Sequence, residues 1–501
     1  MDELAKDDFK PGELESAPTP KELSASELRG RLPVSPDLLA RAAERGDAAE
    51  MLGQQRALDA IRLAIGIDAP GYNVFVDGLR TRQERETIVK LLADRAAGMP
   101  TPDDWIYVNN FRNPESPVAI HLRPGQGREL RDRMTELVNF VREQLPKAFR
   151  REDFDQERAA LREKYNKRAQ ELFGNLEARA RERGFAIQAT PSGQVLFVPL
   201  IDGKMPESPE ALAREMAKLP ESERERLAKA QGELQGELGG LLMRQQELMH
   251  ELADDVRAIE RSFAGRQISP AIAALKQRFD NPDAARYLDE VAEHMLSHLD
   301  RFHEPHEGRE GGPMPFATED GTRFAEYQVN VLVDNLGVSG APVISEDAPS
   351  YRNLFGTIER WMDPSGRHFS SFTGIIAGSF LKAHGGFLVF DLEDAIVEPG
   401  VWKTLKRSLK SGRMTLETFE PFPFFSISGL KPQPIEVRAK VIVLGGALLY
   451  NLLYFYDSDF AELFKVKAEI RPVVAADEAA ACHYAARIAE LCRREHLPAF
   501  E

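Results

Sequence analysis

The sequence predicts an α/β fold built on a parallel sheet and interrupted by a long helical insertion. Two observations predict it. Apolar runs of strand length, YNVFV at 72–76, FLVF at 387–390 and VIVL at 441–444, each stand next to a helical stretch, an alternation that implies parallel strands joined by crossover helices. Between the first run and the others the texture changes to Glu, Arg, Lys, Leu and Ala. There Leu234, Leu238, Leu241, Leu248, Leu252, Ile259 and Phe263 recur at close to a 4-3 spacing, the stripe of a coiled coil.

The acidic, Pro-interrupted start (1–35) lacks an apolar core and reads as a flexible lead-in, neither signal nor transit peptide. The first part of the α/β domain, 36–128, runs through LLARAAE, GQQRALDAIRLAIGI, the strand YNVFV, a helix from Arg82 to Ala97 and the strand DWIYVNNF. The insertion, 129–301, begins with an arm carrying Phe154, Leu161, Tyr165, Leu172 and Leu176. Two alternating runs around Ser192-Gly193, within 184–204, then predict a small hairpin, with Phe185, Ile187, Leu196, Phe197 and Val198 as candidate contact residues. A charged, Gly-rich linker, 302–316, contains His303 and His306, which with no Cys or further His beside them read as solvated. The second part of the α/β domain, 317–474, carries YQVNVLVDN, GGFLVFDLEDA, the helix GVWKTLKRSLKSG, KVIVLGG and AEIRPVV, before a last helix from about Ala475 to Arg494.

A net charge of −15 argues against general nucleic-acid affinity, and no basic stripe or helix-turn-helix signal appears. The longest apolar stretch, VIVLGGALLYNLLYFY at 441–456, is broken by Gly445, Gly446 and Asn451 and is shorter than the about 20 residues a bilayer needs, so no membrane partner is expected. Cys482 and Cys492 share one helical stretch and form no disulfide framework, which fits a reducing cytoplasm.

A strand that runs into Gly78 and is followed by a helix is the frame of a phosphate-binding loop, G-x-x-x-x-G-K-[ST]. In that register Gln83, Glu84 and Arg85 stand where Gly, Lys and Ser/Thr belong. Two unit charges about 4 Å apart interact by roughly 4 kcal/mol at an effective dielectric of 20, and Glu84 in place of Lys doubles the swing. Arg80, Arg82 and Arg85 offer guanidinium groups that pair with phosphate. GGFLVFDLEDA ends an apolar strand in Asp391, the position of a magnesium-holding acid in such enzymes. Leu392 follows where a water-polarising Glu is usual, and Glu393 shares the face of Asp391 only if the strand persists.

GQQRALDAIRLAIGIDAPGYNVFVDG, NLFGTIER with AGSFLKAHGGFLVFDLEDA, VWKTLKRSLKSG and DSDFAELFKVKAEI are together similar to the AAA+ half of Lon-related ATP-dependent proteases, the branch with a coiled-coil arm inserted in its ATPase domain. The resemblance covers roughly residues 30–500 and implies a P-loop NTPase-like AAA+ sheet, with 475–501 as the start of a helical lid. It also implies ATP with magnesium as cofactor, held by Gly78, Arg80, Arg85, Asp391 and Glu393, with the metal on Asp391. The departures at Gln83, Glu84 and Arg85 put that cofactor in doubt and suggest a degenerate nucleotide site. The implied assembly is a ring of six subunits threading unfolded protein into a serine protease chamber, with self-association expected to be weak in this chain. No segment here is assignable as the Ser/Lys dyad, and the family's protease domain is expected to follow residue 501. The competing reading is a non-proteolytic scaffold that uses the arm to hold a partner. A DNA-handling ATPase ranks third.

Overall fold

The computed structural model describes residues 53–79, 81–189, 195–201, 203–206, 208–302, 324–362, 368–417, 429–475 and 477–498, with isolated positions before residue 53. Five parallel strands form its central sheet: β1 (Val74–Asp77), β7 (Val343–Glu346), β10 (Phe387–Asp391), β13 (Lys440–Gly445) and β14 (Val466–Glu469), in the order β14-β1-β13-β10-β7. Strands β1, β10 and β13 are apolar along most of their length because both faces are covered, as parallel sheets require. On one face, Val74, Val76, Val389 and Ile442 pack against the helices Gln55–Gly66 and Arg82–Ala96. On the other, Phe75, Leu388, Phe390 and Val443 pack under the helices Val401–Ser411 and Phe460–Leu463. Buried Asn73 ties the sheet's start together, since its amide donates to Leu463 O (2.8 Å) and its carbonyl accepts from Val441 N (2.9 Å).

Two strands expected in this parallel sheet lie elsewhere. DWIYV forms β2 (Asp104–Val108) and pairs antiparallel with both β3 (Val118–Leu122) and β6 (Val329–Val333), in a separate three-stranded sheet. The reason is local: a short loop, 109–117, joins β2 to β3, too short for the crossover that a parallel neighbour needs. Asn110 closes that loop, accepting from the amides of Arg112 and Asn113 and donating to Ser116 O.

This small sheet is the root of the helical arm. Helix Gln126–Ala148 leaves it, helix Glu152–Glu182 continues outward, and helices Glu221–Phe279 and Pro282–Ser297 return. At about 1.5 Å per residue the 59-residue return helix is close to 90 Å long. Its Leu227, Leu234, Leu241 and Leu248, each seven residues apart, are buried, and the first three join Leu176 and Ala180 of the outgoing helix in one cluster. Near the root, Phe154 meets Phe263 edge to face at 5.2 Å, and Tyr165 donates to Asp255 (2.9 Å). Strands β4 (Phe185–Ala189) and β5 (Val195–Pro199) pair antiparallel as the small hairpin, while Ser192-Gly193 lies outside the described residues. Of the five hairpin candidates, Phe185 and Phe197 are buried against the arm helices, Ile187 and Val198 are half-buried, and Leu196 is exposed. No helix among the described residues is long and apolar enough to cross a membrane.

Asp104 locks the arm to the body. Fully buried, it accepts from Gly127 N (2.9 Å) at the arm's exit and from Asn335 N (2.8 Å) just after its return. Burial raises its pKa above the ordinary carboxylate range, against the lowering pull of those backbone donors.

Candidate functional site

The carboxyl ends of β1, β10 and β13 open on a cavity of about 330 Å³, where ligands of open parallel sheets bind. Its walls include Gly78, Thr81, Arg85, Asp391, Glu393 and Gly446. The structure thus brings together four of the five residues expected from the sequence; Arg80 lies outside the described residues.

Each of the four is held in a way the linear sequence did not show. Gly78 sits at φ +87°, and a Cβ there would stand 2.4 Å from Ile470 O. The glycine is therefore required by the close passage of the chain leaving β14, where Ile470 N donates to Asp77 O (2.8 Å). Helix Arg82–Ala96 starts five positions past the end of β1, and Thr81 is its N-cap. Thr81 Oγ1 accepts from Glu84 N (3.3 Å), and the Glu84 carboxylate accepts from Thr81 N (3.0 Å), a reciprocal capping box. Glu84 thus turns back onto its own helix and satisfies a backbone donor that in a phosphate loop would face the ligand.

Arg85 crosses to the end of β7. Its guanidinium donates to Ser345 Oγ (2.9 Å) and Glu346 O (3.0 Å) and pairs with Asp347 (2.9 Å). Arg82 is exposed over 92% of its side chain and pairs with Glu86 along its own helix (3.0 Å).

The acidic side differs from expectation too. The strand does not persist past Asp391: helix Leu392–Val397 begins at once, so Glu393 lies in a helical first turn. Asp391 is that helix's N-cap, accepting from Glu393 N (2.8 Å) and, at 3.4 Å, Asp394 N. The cause is chemical, since a strand ending in Asp followed by Leu-Glu-Asp-Ala presents a favoured N-cap residue before a helix-forming run. Desolvation raises the pKa of Asp391, and the two backbone bonds oppose that rise. Glu393 Oε1 accepts from Gly446 N (2.9 Å) at the start of helix Ala447–Tyr456. Among the described residues no group of three or more His, Cys, Asp or Glu has the arrangement of a metal site.

A magnesium nucleotide is the group this frame implies, and the donors and acceptors here fit it poorly. The loop supplies no lysine, the capping carboxylate occupies the loop's backbone amide, Asp391, the expected metal acid, caps a helix, and Glu393 is bonded to Gly446 N. Thr81 and the bond from Glu393 to Gly446 were missed at the sequence level. Thr81 could have been found, because T-R-Q-E at 81–84 is itself a capping-box signature.

Residues 339–471 match the model of the LonB-like AAA domain, and residues 104–137 match that of the Lon-like LonC helical domain. No curated protein matches the chain. Among solved structures, NtrX from Brucella abortus matches at 13% identity over 30% of this chain and 41% of that one, with TM-score 0.18. The same protein in complex with ADP matches at 17% identity over 26% of each chain, with TM-score 0.17. The chain spans less than half the length of these structures, and scores this low carry no argument about the site.

Proposed function

We propose that this chain, which carries the AAA+ portion of a Lon-related protein, handles unfolded protein substrates without turning over ATP. In this reading the α/β body is a ring scaffold or ATP-independent gate for proteolysis and quality control in the cytoplasm. The family assembles through its AAA domain and ordinarily binds nucleotide there with magnesium. The observation that carries the reading is the Thr81–Glu84 capping box, which closes the helix N-terminus with an internal carboxylate. A phosphate approaching that terminus would meet Glu84 instead of a lysine, and Arg85, which lines the cavity, is already paired with Asp347. The arm would meet the client, with Leu196 at the hairpin as its exposed apolar contact.

The test is restoration. Gln83→Gly, Glu84→Lys and Arg85→Thr together should create ATP binding, and the natural chain should show none above background, read as an ATP-dependent rise in melting temperature. Turnover by the natural chain that is abolished by Asp391→Asn would sink the reading.

A second reading, a scaffold that grips a partner with the arm, has its own observation. Leu242, Met243 and Met249 lie exposed on the long return helix, and Met-rich surfaces suit adaptable contacts. Partner capture that survives loss of the hairpin contact but not of these three would favour it.

A further inference from the structure

The two long helices of the arm are packed by two separate apolar clusters. At the head, Leu176, Ala180, Phe185 and Phe197 close on Leu227, Leu234 and Leu241. At the root, Leu145, Ala264 and Ile268 belong to the core under the small sheet. Between them, over 155–171 of the outgoing helix and 242–262 of the return helix, Tyr165 and Leu248 are the buried residues, and neither belongs to either cluster. Around them Leu161, Leu252 and Ile259 are only half-buried. Polar contacts complete this neck: Tyr165 donates to Asp255 (2.9 Å), Arg168 lies 3.9 Å from Glu251, and Arg244 pairs with Glu247 (2.6 Å). Exposed pairs of this kind add little stability.

Glycines stand where the head cluster ends. Gly239 and Gly240 directly precede Leu241, its last leucine. On the outgoing helix Gly174 lies between Arg179, paired with Glu237 (3.3 Å), and Arg168, opposite Glu251, a register that sets it about one turn rootward of Gly240. At none of the three would a Cβ meet anything within 4 Å. Packing therefore does not require glycine there, although each weakens its helix relative to alanine. Adjacent glycines also let a long helix bend. We infer that the arm is jointed, its head turning as one packed body on the neck beside Gly174, Gly239 and Gly240. Such a bend leaves both clusters intact and carries Leu196 on the head hairpin relative to Leu242, Met243 and Met249 on the neck. The inference holds whichever partner the arm meets, and it does not depend on the state of the nucleotide site.

Pulsed electron spin resonance on the full chain tests it, with spin-labelled noncanonical side chains at the exposed positions 159 and 228, which the helix register places about 50 Å apart. The natural chain should give a broad distance distribution. Gly174→Ala, Gly239→Ala and Gly240→Ala together should narrow it about two-fold with unchanged circular dichroism, the open space at all three sites leaving the fold intact. Amide exchange over 240–246 should slow about ten-fold or more in the same variant, since alanine for glycine in a helix interior suppresses local opening about five-fold per site. Gly232→Ala with Gly236→Ala, which lie between the labels but inside the head cluster, should leave the distribution as broad as in the natural chain. A natural chain as narrow as the triple variant, exchange unchanged by the triple substitution, or equal narrowing by the Gly232 and Gly236 pair would each overturn the inference.

Discussion

Replacing Thr81 by Ala isolates the feature on which the proposed function rests. The substitution removes Oγ1, the acceptor for Glu84 N, and leaves the Thr81 backbone amide on the Glu84 carboxylate. Loss of an N-cap hydroxyl costs about 1 kcal/mol, and because this helix start is exposed the cost is local fraying. At RT near 0.6 kcal/mol that is about five-fold faster hydrogen exchange at the Glu84 and Arg85 amides, with no change farther along helix Arg82–Ala96. Glu84→Ala should fray the same turn by a smaller factor and do something Thr81→Ala does not. It removes a negative charge from the mouth of the cavity and frees the residue 81 amide, so inorganic pyrophosphate, followed by calorimetry, should bind about five-fold more tightly. Exchange unchanged in Thr81→Ala would refute the capping account. Weaker pyrophosphate binding in Glu84→Ala would refute the electrostatic one.

The remaining predictions concern the arm. His294, stacked on His298 at 4.1 Å and bonded to the Tyr327 hydroxyl (2.8 Å), has its pKa lowered to about 4 by burial, then by the charges of His298 and Arg301. A depressed histidine stabilises the fold above its unfolded value of about 6.5 and loses that contribution as pH falls toward 4. Urea unfolding of the arm root should therefore weaken between pH 7 and 5 by about 1 kcal/mol after allowance for solvent screening, and His294→Gln should flatten that slope. Asp104→Ala leaves the buried amides of Gly127 and Asn335 without their acceptor and should cost about 2–4 kcal/mol, with limited proteolysis appearing near the arm's junctions; Asp104→Asn should cost less. At the hairpin, Phe197→Ser should destabilise the arm tip by about 3–5 kcal/mol as a cavity-forming core change, whereas Leu196→Ser should leave stability within about 0.5 kcal/mol and weaken casein binding.

Strands β1, β10 and β13 of the central sheet were legible because they are short, apolar and bounded by glycine or acid, as at Phe387–Asp391 and Lys440–Gly445, whereas β7, a half-buried VISE in a stretch rich in Pro, Asp and Ser, reads as loop. The helices of the arm were legible from the leucine spacing at 234, 241 and 248. The antiparallel sheet at the arm root was not, because β6 lies more than two hundred residues beyond β2 and only a fold brings Tyr107 opposite Asn330. Asp104 was invisible for the same reason, its second partner being 231 residues away. At the candidate site Gly78, Arg85, Asp391 and Glu393 line one cavity, and the hydrogen bonds and ion pairs that hold each of them there were not legible in the sequence. A linear register reads Glu84 as pointing at a ligand, while the short loop and Thr81 turn it back as a cap. Likewise an apolar strand ending in Asp does not reveal whether the carboxylate faces a metal or the next two backbone amides.

The most direct test of the central claim is equilibrium binding of ATP with magnesium to the full natural chain, measured by titration calorimetry alongside the Gln83→Gly, Glu84→Lys, Arg85→Thr variant. The account predicts no binding heat for the natural chain up to about 1 mM ATP, a limit of about −4 kcal/mol in binding free energy, and measurable binding by the variant. Micromolar binding by the natural chain, lost on Asp391→Asn, would contradict it.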